Sequence, residues 1–373
     1  MQPTRHPQQK NVRWLTRFSI ALTLAAGFIQ PTLAAQTNVV TPLRMVSTPN
    51  PNVFPLLLAM KRNPQLPVSL VPVGTGSDIV NAFSSGQGDA LLSMTYTAAQ
   101  DVTSGKIPQL ELVSVNFWRG FWILAPKSAQ ISQFSQLANE GVLIAGPTAG
   151  GKGGGPDLIF QAAARQAGMG ASSFNLCYLP VMQAAPMMVQ QQPMNSNSAC
   201  ASTDSMAPTG ISLVEPAATG LVMQSKMSTA SNAVAINKAI DVQTLFTDYN
   251  AWPHTELPHG GMSVLASVLD DPQRLPVVNT VLAAYRAAVQ DMMAARNHPI
   301  VLMLISRAIA NGITTYYGQY GLSIPAPVIA MAIQSGNMVF RDDLSINAVQ
   351  PDLGLFLTDV VGSAPPASFY HPL

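Results

Sequence analysis

After residue 35 the sequence contains no run of about 18 apolar residues, the length that a membrane-spanning helix needs. It also lacks an excess of positive charge. The whole chain has 19 basic and 18 acidic residues, and removing the four basic residues before Phe18 leaves 15 against 18, a net charge of −3. A weakly acidic protein has no electrostatic surface suited to nucleic acid or to an anionic membrane. We therefore expect a soluble protein with no nucleic-acid partner, long enough for two domains.

Signatures of common enzyme classes are missing as well. No Gly-x-Ser-x-Gly turn is present, so a serine hydrolase lacks its usual nucleophile position. Asp89, Asp157 and Glu215 are scattered, with no spacing that indicates a general acid and base pair. The stretch 146–153 nearly matches a nucleotide-binding phosphate loop, but it ends in glycine where a serine or threonine would hold magnesium. We expect a protein that is not an enzyme and that has no catalytic residues, no metal and no cofactor.

What is present begins with an export signal. Residues 1–17 contain four basic residues and no acid, and residues 18–29 are uncharged and mostly apolar. The segment 31–35 then ends on small residues, which completes the pattern of a cleavable secretory signal. A membrane anchor is the alternative, but twelve residues are too few to cross about 30 Å of hydrocarbon. We expect cleavage near Ala34 or Ala35 and a periplasmic location.

Two cysteines, Cys177 and Cys200, follow the export signal. In an oxidising compartment such a pair predicts a disulfide, and closing a loop of this length would contribute roughly 3 kcal/mol. A metal or catalytic thiol is the alternative, but neither cysteine has a histidine or second cysteine at ligand spacing. Residues 182–206 are rich in methionine, glutamine, asparagine and proline. They are interpreted as a mobile excursion that the disulfide pins, with copper binding through methionine sulfur left as an alternative.

Strand-like apolar runs alternate with helix-like segments, which predicts an α/β fold with parallel strands joined by helical crossovers. The predicted strands include 43–47, 68–73, 90–93, 111–116, 142–145 and 211–214. The predicted helices are 53–61, 78–85, 132–137, 156–167, 275–296, 300–310 and 328–335.

Four loops that follow predicted strands are rich in glycine and in hydroxyl side chains. They comprise 47–50, 74–77, 93–96 and 146–155. Ligands bind beyond the carboxyl ends of strands in open parallel sheets, and helix N-termini there favour negative charge. Lys152 would add a positive charge to a glycine-rich anion site, or it is simply a solvated loop lysine. The alternative for all four loops is that these residues serve only as turn and N-cap residues.

One further segment could bind metal. His254, Glu256 and His259 are potential ligands, but Pro253 and Pro258 predict a loop where a zinc protease motif requires a rigid helix.

The order of these motifs resembles the periplasmic solute-binding proteins of ABC importers, in their nitrate/sulfonate/taurine-like branch. The stretches that carry the resemblance are LRMVSTPNPNVFPLLLA (43–59), VSLVPVGTGSDIVNAFSSGQGDALLSM (68–94), VLIAGP (142–147), GISLVEPAATGLV (210–222) and SVLASVLDDPQRLPVVNTVLAAYRAA (263–288). The resemblance implies a two-lobe type II periplasmic binding protein fold with a cleft between the lobes. Lobe 1 would comprise 42–127 plus 260–373, and lobe 2 would comprise 128–259.

The resemblance also implies a set of ligand-binding residues and partners. The family's binding loops fall on Ser47, Thr48, Asn50, Gly76, Ser77, Thr95, Tyr96, Thr148 and Glu215. The family's usual aromatic residue before the acidic-Pro pair is Val214 here. By this resemblance the protein is a monomeric receptor that delivers a small anionic or zwitterionic molecule to a membrane permease and its ATPase. The alternatives are an enzyme on the same fold that acts on a small sulfur- or nitrogen-containing molecule, and a sensory binding protein that has lost transport.

Overall fold

A computed structural model describes residues 40–146, 151–200 and 205–373. The predicted export signal and Thr148 lie outside these residues, so both stay predictions. Residues 40–373 form one compact unit.

The strands form two mixed sheets, one in each lobe. In chain order they are β1 (Leu43–Ser47), β2 (Val68–Pro72), β3 (Ala90–Met94), β4 (Leu110–Arg119), β5 (Phe121–Pro126), β6 (Gly141–Gly146), β7 (Asn175–Pro180), β8 (Gly210–Val214), β9 (Ile236–Asp241), β10 (Gly260–Leu265) and β11 (Val339–Phe340). The first sheet has the order β11-β4-β10-β3-β1-β2, and the second has the order β7-β6-β8-β5-β9. The predicted α/β fold with two lobes is confirmed.

Parallel pairs occupy one half of each sheet. β1 pairs in parallel with β2 and β3, and β6 pairs in parallel with β7 and β8. The sequence predicts helices between β1, β2 and β3 and a helix after β6, whereas β7 is not among the predicted strands. The antiparallel strands β4, β5, β9 and β10 complete the sheets, and no hairpin turn in the sequence marks them.

Helices connect the strands and cover the sheets. They are α1 (Val53–Arg62), α2 (Gly76–Ser84), α3 (Thr95–Thr103), α4 (Gly155–Gln166), α5 (Val181–Val189), α6 (Ala217–Met227), α7 (Ala266–Leu269), α8 (Leu275–Ala294), α9 (Pro299–Tyr317), α10 (Ala326–Gln334) and α11 (Ile346–Val361). The segment predicted as a helix over 132–137 is a short 3-10 turn, Phe134–Leu137.

The chain passes from the first sheet to the second at Gly120, between β4 and β5, and it returns between β9 and β10. Sheet membership therefore changes between β4 and β5, and the lobe bounds 42–127 plus 260–373 and 128–259 stay a prediction. Only Gly120 separates β4 from β5, and the sequence pattern does not indicate that the two strands join different sheets.

The segment 182–206 differs from the predicted excursion. Cys177 and Cys200 form the expected disulfide, with their Cα atoms 5.3 Å apart. However, α5 occupies the start of the segment, and Met187, Met188 and Met194 are buried in the core of the second lobe. Met187, Met188 and Met194 are therefore packing residues, whereas Met182 is exposed. The sequence did not indicate helix α5, which contains a proline.

Helix α9 and the 3-10 turn after it, Pro299–Tyr320, are long and apolar enough to cross a membrane, with a mean hydropathy of 1.2. This statement rests on length and composition alone, and the core helix of a soluble protein can have the same length and hydropathy. Leu302, Ile305 and Ile309 lie in the core, and α9 packs against α1 and α10.

Candidate functional site

Two adjacent cavities lie at the carboxyl ends of the parallel strands, between the lobes. The polar cavity has a volume of about 630 Å³ and the apolar cavity about 320 Å³. Asn50, which follows β1, and Val214, which ends β8, line both cavities. The two cavities therefore meet at these residues and form one candidate cleft, which is where an open α/β sheet is expected to bind a ligand.

Glycine-rich loops and helix α3 form the walls of the polar cavity. Its lining includes Thr48, Asn50, Gly74, Thr75, Gly76, Ser77, Ser93, Thr97, Gln100, Asp101, Lys106, Gly151, Lys152, Gly153, Gly154 and Gly155.

Aspartates of the protein already occupy the two helix N-termini at this cavity. At α2 the carboxylate of Asp78 accepts from the backbone N–H of Thr75 at 2.9 Å, and the Thr75 hydroxyl caps the same turn. At α4 the carboxylate of Asp157 accepts from Gly153 N–H at 2.7 Å and from the Tyr178 hydroxyl at 3.0 Å. Because these donors have anionic partners within the protein, the helix ends attract an external anion less than bare N-termini would.

The charged groups lining the polar cavity are of both signs. Lys106 and Lys152 are exposed, whereas Asp101 is buried. Burial raises the pKa of Asp101 to about 6, and the charge of Lys106 opposes that shift. Asp101 Oδ2 has no hydrogen-bond partner among the described residues. A ligand that donates a hydrogen bond would therefore satisfy an oxygen atom that the protein leaves unpaired.

The apolar cavity is formed from both lobes. Its lining is mainly aliphatic, with Val53, Phe54, Val181, Met182, Leu213, Leu221, Ile313, Tyr317, Leu322, Ile324, Pro325 and Val328 among the residues.

Glu215 is the acidic residue of the apolar cavity lining, and its carboxylate is already paired. It accepts from Thr219 N–H and from the Thr219 hydroxyl, both at 3.1 Å, and it forms an ion pair with Lys238. Burial lowers the pKa of Lys238, and the neighbouring Glu215 carboxylate opposes that shift. The Glu215 carboxylate therefore serves first to compensate a buried lysine.

The structure brings together some of the sequence-predicted binding residues. Thr48, Asn50, Gly76, Ser77 and Lys152 line the polar cavity, and Glu215 lines the apolar cavity.

Three of the predicted residues line neither cavity. The Ser47 hydroxyl donates to Leu92 O at 3.0 Å, and the Thr95 hydroxyl donates to Pro258 O. Tyr96 is fully buried, and burial raises the pKa of its hydroxyl well above its usual value. Thr148 lies outside the described residues.

Sequence reasoning missed Asp101 and its neighbours on α3. Thr97, Gln100 and Asp101 lie three and four residues apart, so a single face of the helix presents them to the cavity. The sequence does show this helical spacing of polar residues. It indicates a ligand-binding face only when the loop before the helix is known to border a cleft.

The possible metal ligands of the 254–259 segment do not converge. Glu256 pairs with Arg341 at 2.6 Å, and the His259 Nε2 atom lies 2.8 Å from Gln243 Oε1. Within residues 40–146, 151–200 and 205–373, no group of three histidine, cysteine or acidic side chains is placed to hold a metal ion.

No known family profile and no curated protein sequence matches the chain. Solved structures do match its fold. The periplasmic aliphatic sulphonate binding protein SsuA from Escherichia coli superposes with a TM-score of 0.58 at 15% identity, covering 86% of each chain. A zinc-bound ligand-binding component of an ABC-type import system from Staphylococcus aureus gives a TM-score of 0.57 at 12% identity, covering 89% of this chain and 97% of its own.

A third structure, the alkanesulfonate-binding protein SsuA from Xanthomonas axonopodis pv. citri bound to MOPS, gives a TM-score of 0.55 at 13% identity. It covers 89% of this chain and 99% of its own. At such low identity these similarities establish the architecture alone. The chain has the two-lobed α/β fold of periplasmic binding proteins, and its structural neighbours are sulfonate-binding and ABC import ligand-binding proteins.

Proposed function

We propose that this protein is the extracytoplasmic solute-binding component of an ABC importer. The observation that carries the proposal is the cleft, in which a polar and an apolar cavity meet at Asn50 and Val214 between two lobes. The fold shared with ABC import ligand-binding proteins supports it, and so does the predicted export signal. A membrane permease and its ATPase are the partners that this function requires.

We infer further that the ligand is zwitterionic and has an apolar portion. An acidic group would face Lys152 and Lys106, and an ammonium group would face the unpaired oxygen of Asp101. A simple anion would leave that buried carboxylate oxygen unsatisfied, at a cost of about 1–3 kcal/mol. The apolar portion would extend past Val214, whose small side chain lies between the two cavities.

Binding without chemistry fits the groups in the cleft. The described lining of the polar cavity contains hydroxyls, two lysines and one carboxylate, and it contains neither a histidine nor a cysteine. Both cysteines are joined in a disulfide within the core of the second lobe. Among the described residues, the polar cavity therefore offers no cysteine nucleophile and no histidine base of the kind that acyl or group transfer often uses.

The test is ligand binding by purified protein, measured as a rise in melting temperature with ligand concentration. A panel of sulfonates, nitrate, amino acids and pyrimidines includes zwitterions matched to anions of equal length. We expect a zwitterion to stabilise the protein most.

Asp101→Asn should reduce the preference for the zwitterion about tenfold or more, since it removes a partly desolvated charge pair. Asp270→Asn, at an exposed aspartate outside the lining of both cavities, is the matched control. No response to any member of the panel, together with no small molecule released from the purified protein, would reject the receptor function. Equal affinity for zwitterion and anion would reject only the ligand class.

A further inference from the structure

A third depression lies on the opposite face of α6 from the cleft. Leu221 and Gln224 of α6 line the apolar cavity, whereas Met223, Lys226 and Met227 line a separate groove of about 700 Å³. The spacing of these positions places the two sets on different faces of one helix. We call this third depression the lysine groove. Its other walls come from Lys127, from β9 and from the end of α10.

Positive charge is concentrated in the lysine groove. Lys127, Lys226 and Lys238 line it, and they are three of only six lysines after residue 39. None of the described lining residues is acidic. Lys238 is compensated from beneath by Glu215, but Lys127 and Lys226 are exposed and have no ion pair within the described part of the chain. The groove therefore carries two positive charges without an ion-pair partner among the described residues.

The same groove exposes apolar surface. Met227 has 74% of its surface exposed and Met331 has 45%, and Met223 lies beside them in the lining. Methionine is a flexible side chain that adapts its shape to an apolar partner. Exposed methionines beside exposed lysines offer one ligand both an apolar and a charged contact.

We propose that the lysine groove is a second binding site, for an amphipathic organic anion: a carboxylate, sulfonate or phosphate group on an apolar chain. The anionic group would contact Lys127 and Lys226, and the chain would cover Met227 and Met331. A cation of the same shape would be repelled. An inorganic anion would leave the methionine side chains in water, so both parts of the ligand are needed. This site shares no described lining residue with the two cavities of the cleft.

The occupant would contact both lobes. Met331, Ser335 and Asn337 belong to the part of the chain around the first sheet, whereas Lys226 and Lys238 belong to the second lobe. The Trp122 indole N–H donates to Asn337 O at 3.4 Å across the same junction, and the Lys238 ammonium lies 5.0 Å from the Trp122 ring centre. Binding in the groove should therefore change the fluorescence of Trp122.

The experiment titrates full-length protein with decanoate, below its micelle concentration, by calorimetry and tryptophan fluorescence. Two control probes separate the contributions of charge and chain. Decyltrimethylammonium has the same chain with a positive charge, and sulfate has negative charge without a chain. We expect decanoate to bind at one site and to perturb the fluorescence, and neither control probe to do so. Lys127→Gln with Lys226→Gln should weaken decanoate roughly tenfold, since each exposed ion pair contributes up to about fivefold in affinity.

Controls separate this groove from the cleft. Lys61→Gln, at an exposed lysine outside the groove, should leave decanoate affinity unchanged, and Met227→Gln should weaken it by a smaller factor than the lysine pair. The proposal is overturned if decanoate does not bind, or if decyltrimethylammonium binds equally well. It is also overturned if Lys152→Gln abolishes binding while the two groove lysines can be replaced without effect. Any of these results leaves the proposed receptor function standing, because that function is tested by cleft ligands.

Discussion

Each lobe contains a buried carboxylate that forms an ion pair, and the two are paired in different ways. Asp89, in the first lobe, receives hydrogen bonds from Arg44 at 2.9 Å and from Arg274 at 2.8 Å. Glu215, in the second lobe, is completely buried and its one cationic partner is Lys238, which is itself only 14% exposed.

The position of each carboxylate in its sheet explains the difference. Asp89 precedes β3, at the end of the strand that faces away from the cleft, where Arg44 can remain 42% exposed. Glu215 follows β8, at the end that borders the apolar cavity. The Asp89 pair can stay partly hydrated, whereas the Glu215 pair lies beside the cleft and is enclosed by both lobes. Removing one partner of the Glu215 pair should therefore destabilise the protein far more.

The largest predicted effect is on Glu215. Glu215→Ala leaves the Lys238 ammonium buried without a counter-charge, so we expect the free energy of unfolding to fall by about 3–5 kcal/mol. Urea denaturation followed by circular dichroism measures this change.

A paired substitution serves as the control for Glu215. Replacing Glu215 by Leu together with Lys238 by Met removes both charges, and it should recover most of the lost stability, since an apolar pair of similar volume replaces the ion pair. If Glu215→Ala lowers the free energy of unfolding no more than Asp89→Ala does, the contrast between the two lobes is wrong.

The sequence predicted the parallel strands other than β7, but it did not predict which buried charged groups pair with each other. The strand 43–47, the helix after it and the glycine-rich turns were recognisable because periodicity and turn residues act locally. The partners of Glu215 and Asp89 lie 23 and 185 residues away in Lys238 and Arg274, and no local pattern indicates such pairs. The sequence also could not predict that Lys127 and Lys226 lie in one groove, because this depends on how β9 and α6 pack.

The second prediction concerns the disulfide of the second lobe. Replacing Cys177 and Cys200 by alanine should lower the free energy of unfolding by roughly 3 kcal/mol, because the unfolded chain loses a cross-link around a loop of 23 residues. The measurement is again urea denaturation. Wild-type protein in a strong reductant should lose a similar amount. Alkylation of both thiols in unreduced, denatured protein would show that the bond does not form.

The third prediction tests the first lobe's carboxylate. Burial alone would raise the pKa of Asp89, but hydrogen bonds from Arg44 and Arg274 outweigh it and hold the pKa below the usual value. Asp89→Asn should cost about 2 kcal/mol at pH 7, because a hydrogen bond to a charged group contributes about 1.5–3 kcal/mol.

The Asp89 contribution should also depend on pH. A lowered folded pKa means that the stabilisation is complete above the unfolded value of about 3.9 and is lost as the pH falls through the folded pKa. Wild-type and Asp89→Asn proteins should therefore converge in stability at low pH. Parallel stability curves down to pH 2 would contradict the assignment.

The smallest predicted effect arises where the chain crosses between the lobes. Gln243 donates to Phe121 O at 3.0 Å, and its Oε1 accepts from Phe121 N–H at 2.8 Å, so the His259 Nε2 atom must carry a proton to bond the same oxygen. One amide thus joins both crossings. His259 is completely buried, and burial lowers its pKa to about 3.

As the pH falls below about 6.5, the unfolded chain binds a proton at His259 before the folded chain does, so stability declines between pH 6.5 and pH 3. From pH 6.5 to 5.5 the loss should be about 1.4 kcal/mol at most. Asp101 acts in the opposite direction, because its raised pKa lets the folded state bind a proton first. The difference between wild-type and His259→Gln stability curves cancels Asp101 and isolates the histidine. If that difference is flat across this range, the histidine is not buried in its neutral form, and the two crossings are not joined as the geometry indicates.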